Sequence, residues 1–116
     1  MKIKGILIDP ANAEISPVFI DKEDAVQAIN NLIESRVFTT IQVDDHNTLY
    51  VDDEALINGK SRDIKNYWKW LSHSQPIVGR AFLLGHNEEG ESVDTSFVPE
   101  RVGEYAIRHN VEIVKL

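Results

Sequence analysis

Residues 77–87 constrain the fold of this chain most strongly, because they contain its densest run of apolar side chains. Pro76 prevents a helix from running into this stretch, and Gly85 begins a polar segment, residues 86–91, with the composition of a tight turn. A short apolar run between turn residues is typical of a buried strand. Residues 77–85 are therefore predicted to form the central strand of a sheet.

Hydrophobic spacing divides the rest of the chain into further strands and helices. Pro17 cannot donate a backbone hydrogen bond, so its strand is predicted to lie at a sheet edge. Val26, Ile29, Leu32 and Ile33 recur at helical spacing and should face the core. The predicted strands are 3–8, 14–20, 37–43, 48–51 and 111–116, with a short pairing at 92–95, and the predicted helices are 22–35, 62–72 and 99–109.

These elements predict one compact α+β domain over residues 1–116. Its antiparallel or mixed sheet should have about five to seven strands, packed by two or three helices. An apolar fraction of 42% and a charged fraction of 27% are ordinary for a globular protein. The absence of cysteine fits a reducing compartment, and no apolar run resembles a signal peptide or a membrane span. A cytoplasmic location is expected.

The candidate interaction surface is a basic segment beside an aromatic residue. In the predicted helix 62–72, Arg62, Lys65 and Lys69 adjoin Trp70, which points about 110° away from the apolar stripe and should be partly exposed. Such a surface suits base stacking or a protein interface. The alternative is a solvated helix face with Trp70 tucked under a loop. A net charge of −7 opposes binding to nucleic acid over most of the surface.

Arg80 is the candidate anion or salt-bridge site. Strict alternation places it on the same strand face as Phe82 and Leu84, and a buried guanidinium requires a carboxylate or an anionic ligand. A structural salt bridge, a bound phosphate or carboxylate, and exposure at the end of the strand are the open alternatives.

Three groups of acidic residues raise the question of a metal site: 44–45 beside His46, 52–54, and 88–91 near His86. Carboxylates from two turns could hold a hard cation. However, no calcium-binding loop, zinc-protease motif, nucleophile elbow or phosphate loop is present. The acidic turns are therefore interpreted as solvated loops, and no catalytic residue, metal or cofactor is predicted.

Three stretches together resemble a family of small phage, plasmid and bacterial proteins catalogued as domain of unknown function 3846. They are residues 6–10 (Ile-Leu-Ile-Asp-Pro), 49–59 (Leu-Tyr-Val-Asp-Asp-Glu-Ala-Leu-Ile-Asn-Gly) and 77–85 (Ile-Val-Gly-Arg-Ala-Phe-Leu-Leu-Gly) with the acidic turn after it. The resemblance implies a mobile-element setting, and it brings no established activity or catalytic residues.

The leading functional hypothesis is a non-enzymatic accessory protein that binds a host or element protein. Its acidic surface would suit an inhibitor or decoy that competes with nucleic acid for a basic partner. One alternative is a small nucleic-acid-binding module that uses the helix carrying Trp70. A second alternative is a metal- or anion-dependent enzyme at Arg80 or at the acidic turns. No membrane partner is expected.

Overall fold

Two antiparallel sheets form the framework of the protein. The computed structural model describes residues 1–10, 12, 14–53, 67–70, 77–108 and 111–112. The strands are β1 (Lys2–Asp9), β2 (Glu14–Asp21), β3 (Phe38–Gln42), β4 (Asn47–Asp52), β5 (Tyr67–Trp70), β6 (Ile77–Val78), β7 (Ala81–His86), β8 (Ser92–Val93), β9 (Ala106–Arg108) and β10 (Val111–Glu112). The helices are α1 (Ala25–Leu32), which follows a 3-10 turn at Lys22–Asp24, and α2 (Pro99–Tyr105).

The larger sheet has β7 at its centre. Its order is β2-β1-β7-β4-β3, and β8 adds a short pairing to β7, which gives six strands in the described part of the chain. The smaller sheet has the order β10-β9-β5-β6. The predicted α+β class is confirmed, as are the central place of the segment that contains Leu83 and the edge position of the strand that contains Pro17.

The predicted central strand is interrupted, which the apolar pattern did not indicate. Gly79 adopts φ +81°, a left-handed conformation that glycine tolerates best, and the ladder stops there. Ile77 and Val78 pair with β5 in the smaller sheet, whereas β7 begins at Ala81 in the larger one. The single strand predicted over residues 77–85 is therefore wrong in this respect, because its two parts belong to different sheets.

Both faces of the larger sheet are covered. On one face, Phe82 and Leu84 of β7 pack with Ile29 and Ile33 from α1 and the segment after it. On the other face, Leu83 packs with residues of the smaller sheet and α2. Alternation along β7 thus sends side chains into two cores, so the strand is apolar at nearly every position. The second core contains Ile6, Ile8, Leu49, Val51, Trp68, Trp70, Ile77, Ala81, Leu83, Val102 and Ala106.

The predicted helix at 62–72 is wrong where the structure describes it, because residues 67–70 form β5. Trp68 and Trp70 are two positions apart, so on a strand both side chains point to one face. Both are buried in the core between the sheets. Large aromatic side chains favour a pleated surface, and burial of both rings outweighs the helical spacing that Tyr67, Trp68 and Leu71 suggested.

The two remaining helices are shorter than predicted. The first does not span 22–35, because Asp21 ends β2 without capping the helix and Lys22–Asp24 forms a 3-10 turn. Val26 is 64% exposed, so its predicted core position is wrong, because α1 packs on the sheet through the face that carries Ala25, Ala28, Ile29 and Leu32. Helix α2 begins at Pro99 as predicted, but it ends at Tyr105 because the chain enters β9 directly. Neither helix has the length and apolar character needed to cross a membrane.

Candidate interaction surface

Two turns meet at one end of the larger sheet. Strands β4 and β7 pair with Asn47 opposite Gly85, so the turn before β4 and the turn after β7 are neighbours. The backbone N–H of His86 donates to the carbonyl oxygen of His46 at 2.8 Å and joins them. The carboxylates of these turns, Asp44, Asp45, Glu88, Glu89 and Glu91, are called the acidic end below.

The turn before β4 is built around Asp44. Its carboxylate accepts a hydrogen bond from the backbone N–H of His46 at 2.7 Å and from the side-chain amide of Asn47 at 3.1 Å. This is the local pattern by which aspartate stabilises a turn. Asp44 therefore has a structural role in the turn, although it is exposed like the neighbouring Asp45.

The side chain of Asn47 anchors this turn to the chain before α2. Its amide oxygen accepts a 2.7 Å hydrogen bond from Thr95 Oγ1, and its amide nitrogen donates to Ser96 Oγ at 3.0 Å. Asn47 is 1% exposed, and its polar atoms find partners within the protein. Because a buried amide is costly when unpaired, this network fixes the turn rigidly on the sheet.

The turn after β7 is built around Asn87. Its side-chain oxygen accepts hydrogen bonds from the backbone N–H groups of Glu89 at 3.1 Å and Glu91 at 2.9 Å. Gly90 supplies a left-handed residue, with φ +83°. The backbone is thus held by one asparagine, and the side chains of Glu88 and Glu89 are exposed to solvent.

Three positive charges near this end already take part in ion pairs. Lys22 Nζ lies 3.7 Å from Glu91 Oε2, and Lys2 Nζ lies 3.4 Å from Asp21 Oδ2. The Met1 ammonium donates to Glu23 Oε1 at 3.0 Å, and this hydrogen bond lowers the pKa of the Glu23 carboxyl below its ordinary value.

Asp45, Glu88 and Glu89 are exposed, and their carboxylates form no ion pair with a described residue. Within the described ranges, no three His, Asp or Glu side chains are grouped as metal ligands would be. The arrangement is an open negative surface, and such a surface attracts cations by long-range electrostatics.

The predicted exposure of Trp70 is wrong. Its side chain is 1% exposed, its ring stacks on Tyr105 with centroids 5.2 Å apart, and Phe97 packs edge-on at 5.7 Å. A ring enclosed in this way is unavailable for stacking on a base or for anchoring a partner. Lys69 lies in β5, paired with β9, while Arg62 and Lys65 lie outside the described residues.

Arg80 is held by three groups of the protein. Its Nη2 lies 3.3 Å from Asp9 Oδ2, its Nε lies 3.8 Å from Glu34 Oε1, and its Nη1 donates to the carbonyl oxygen of Leu32 at 3.3 Å. The carboxylate of Asp9 also accepts a 2.8 Å hydrogen bond from Asn12. The Arg80 guanidinium therefore links β1, β7 and the end of α1.

Sequence reasoning found both acidic turns but missed their proximity. The turns lie 43 positions apart when measured from Asp45 to Glu88, and only the pairing of β4 with β7 brings them together. The structural importance of Asn47 was also missed, because no local pattern marks an asparagine whose partners lie 48 and 49 residues away.

Comparison with curated proteins and with solved structures gave no match for this chain. A family model does match, over residues 1–106 of the 116. Within the described residues, this range includes the strands of the larger sheet, α1, α2 and both acidic turns. The chain therefore belongs to the family described as Domain of unknown function (DUF3846).

Proposed function

We propose that this protein is a non-enzymatic interaction protein whose acidic end binds a basic surface of a protein partner. The observation that carries the proposal is the junction of the two turns through His46 and His86. This junction brings the turn that carries Asp45 next to the turn that carries Glu88 and Glu89, and all three side chains are exposed. Like charges held together raise the local potential, and they favour and orient the approach of a positively charged protein.

The burial of Trp70 favours a protein partner over nucleic acid. The nucleic-acid alternative depended on an exposed tryptophan beside basic residues, and that ring lies in the core. A polyanion would also be repelled by the net charge of −7. Nucleic-acid-binding proteins present basic surfaces. More specifically, the protein is therefore an acidic inhibitor or decoy that competes with nucleic acid for such a partner. The family resemblance supports a setting in phages, plasmids and their hosts.

The proposal is tested by affinity capture from a nuclease-treated bacterial lysate at low salt, with bound proteins identified by mass spectrometry. The test variant combines Asp45→Asn with Glu89→Gln, which removes two charges from the acidic end. The control combines Glu14→Gln with Asp53→Asn, which removes two exposed charges from the opposite end of the sheet. Both variants have the same net charge, so only the position of the lost charge differs.

We expect the wild type and the control to retain a stoichiometric basic protein that salt releases, and the test variant to lose most of it. Equal retention by the two variants would contradict the assignment of the acidic end. Recovery that requires intact nucleic acid would favour the nucleic-acid alternative instead.

A further inference from the structure

The two edges of the larger sheet differ in whether another strand can join them. The edges are β2 and β3 in the described part of the chain. An edge strand presents every second backbone N–H and C=O away from its neighbour. The hydrogen bonds at the ends of β2 and β3 show which of their residues have outward-pointing backbone groups.

The β2 edge is blocked by Pro17. The N–H of Lys22 donates to the carbonyl oxygen of Met1 at 2.9 Å, which marks a hydrogen-bonded pair. Hydrogen-bonded and non-hydrogen-bonded pairs alternate along the two strands. The backbone groups of Val18 and Ile20 therefore bond to β1, whereas those of Pro17 and Phe19 point away from it. Since Pro17 has no N–H and its ring occupies the edge, continuous pairing with another strand is prevented there.

The β3 edge lacks such protection. The N–H of Val43 donates to Asn47 O at 3.1 Å, and the N–H of Asp53 donates to Val37 O at 3.1 Å. Because hydrogen-bonded pairs occur at every second residue between these two bonds, the backbone groups of Phe38, Thr40 and Gln42 point away from β4. These groups have no partner strand among the described residues, and β3 contains no proline, glycine or charged residue. Thr40 and Gln42 are also exposed.

We propose that the β3 edge pairs with the β3 edge of a second copy of this chain, antiparallel and with the two-fold axis at Thr40. In this register, Thr40 faces its own counterpart, and Phe38 faces Gln42 of the other copy. Each of these pairs consists of residues whose backbone points outwards, so about six interchain hydrogen bonds form. A continuous sheet then runs through both copies.

The side chains support this register. On the face towards the smaller sheet, Val37 lies opposite Val43 of the other copy, and Thr39 lies opposite Ile41. Val37 is 47% exposed in the single chain, so the pairing covers an apolar side chain that its own sheet leaves in solvent. Cross-strand pairs of β-branched residues stabilise antiparallel sheets, and Thr40 supplies a threonine pair on the opposite face.

The antiparallel arrangement also separates the acidic ends. Asp45 follows the carboxyl end of β3, so the two-fold axis places the two Asp45 residues roughly 30 Å apart along the strand direction. This distance exceeds the Debye length of about 8 Å at physiological ionic strength. Screening by physiological salt therefore makes the repulsion between the two Asp45 carboxylates weak.

The inference is tested by sedimentation velocity from low to high micromolar concentration, together with disulfide trapping. The natural chain has no cysteine, so Thr40→Cys introduces a single thiol. Residues in a hydrogen-bonded antiparallel pair have Cα atoms about 5.5 Å apart, within the range that a disulfide spans. Gln27→Cys, on the exposed side of α1, is the matched control.

We expect a concentration-dependent dimer, and we expect mild oxidation to cross-link the Thr40→Cys protein much faster than the Gln27→Cys protein. Thr40→Pro removes an outward N–H while leaving the bonds between β3 and β4 in place, and it should weaken dimerisation about tenfold or more. Val37→Asp provides a second variant at an exposed position and should also weaken the dimer. Circular dichroism verifies that both variants are folded.

A monomer at every concentration would overturn the inference, as would equal cross-linking of the two cysteine variants. A dimer that persists in both folded variants, Thr40→Pro and Val37→Asp, would assign the interface to another surface. Capture of a different protein by the β3 edge of a monomeric chain would also reject a second copy as the occupant.

Discussion

The ring of Phe82 in β7 occupies the space beside Gly5 in β1. A Cβ atom at Gly5 would lie 2.7 Å from Phe82 Cε2 and 2.7 Å from the carbonyl oxygen of Leu83. Phe82 is fully buried, and Leu83 O belongs to the backbone of the central strand, so neither can move away without disturbing the core. Gly5 therefore permits the close contact between β1 and β7.

The first prediction concerns this contact. Gly5→Ala should lower the free energy of unfolding by about 1–3 kcal/mol, because an inserted methyl group overpacks the core. Urea unfolding monitored by circular dichroism measures the change. In a double-mutant cycle, Phe82→Leu should reduce the cost of Gly5→Ala. The same cost in both backgrounds would show that the ring is not the obstacle.

The second prediction concerns the ion pair between Arg80 and Asp9. Asp9 is 6% exposed, so removing its cationic partner leaves a nearly buried carboxylate with Asn12 as its other side-chain partner. Arg80→Met should therefore destabilise the protein by about 1–2 kcal/mol, less than for a fully buried pair because the Arg80 side chain is 32% exposed.

Asp9→Asn provides the comparison for this ion pair. In the Asp9→Asn background, Arg80→Met should cost much less, since no carboxylate is left unpaired. Thermal unfolding of the four proteins gives the coupling energy. Additive effects would contradict a direct interaction between Asp9 and Arg80.

The third prediction concerns Glu34, which ends the turn after α1 in a left-handed conformation with φ 57°. The N–H of Ser35 donates back to Asn30 O at 2.9 Å, as in helix ends that usually carry glycine at this position. Glu34→Gly should raise the free energy of unfolding by up to about 1 kcal/mol, because glycine adopts this conformation without steric cost.

Glu34→Gln is the matched control for this change. It keeps the left-handed strain and removes the carboxylate that lies 3.8 Å from Arg80, an exposed contact worth under about 0.5 kcal/mol. Equilibrium denaturation should therefore rank the proteins with the glycine variant most stable and the glutamine variant least. A glycine variant below the wild type would contradict the strain argument.

The fourth prediction concerns the two tryptophans. Trp68 and Trp70 are both buried, and the Trp68 indole donates a 2.9 Å hydrogen bond to the carbonyl oxygen of Gly79. Native fluorescence should therefore be blue-shifted and nearly inaccessible to iodide. Trp70→Ala should cost about 3–5 kcal/mol, because it empties the space beside Tyr105 and Phe97. Strong iodide quenching of the Trp68→Phe protein would contradict the burial of Trp70.

The local sequence predicted much of the larger sheet. Residues 77–85 had the composition of a central strand, and β7 occupies the centre because its side chains are apolar towards both faces. Pro17 predicted an edge because proline removes a hydrogen-bond donor wherever it occurs. These conclusions depended on the chemistry of single residues and short runs, although the break at Gly79 was not predicted.

The segment containing Trp68 and Trp70 was mispredicted because two spacings coexist in it. Tyr67, Trp68 and Leu71 fit a helical stripe, while the two tryptophans also fit one face of a strand. Whether the segment forms a helix or a strand depends on the side chains that it packs against. In the structure, Trp70 packs in the core against Tyr105 and Phe97. The strand is the favoured conformation because it buries both tryptophans.

By itself, the sequence determined the α+β class, the central apolar strand, the proline-blocked edge and the acidic turns, since each follows from residue chemistry within about ten positions. Only the tertiary structure decided that the turns carrying Asp45 and Glu88 are neighbours, that Arg80 meets Asp9, and that β3 is an edge of the larger sheet among the described residues. The physical reason is that strand pairing joins residues far apart in the chain, and local spacing carries no information about which strands become neighbours.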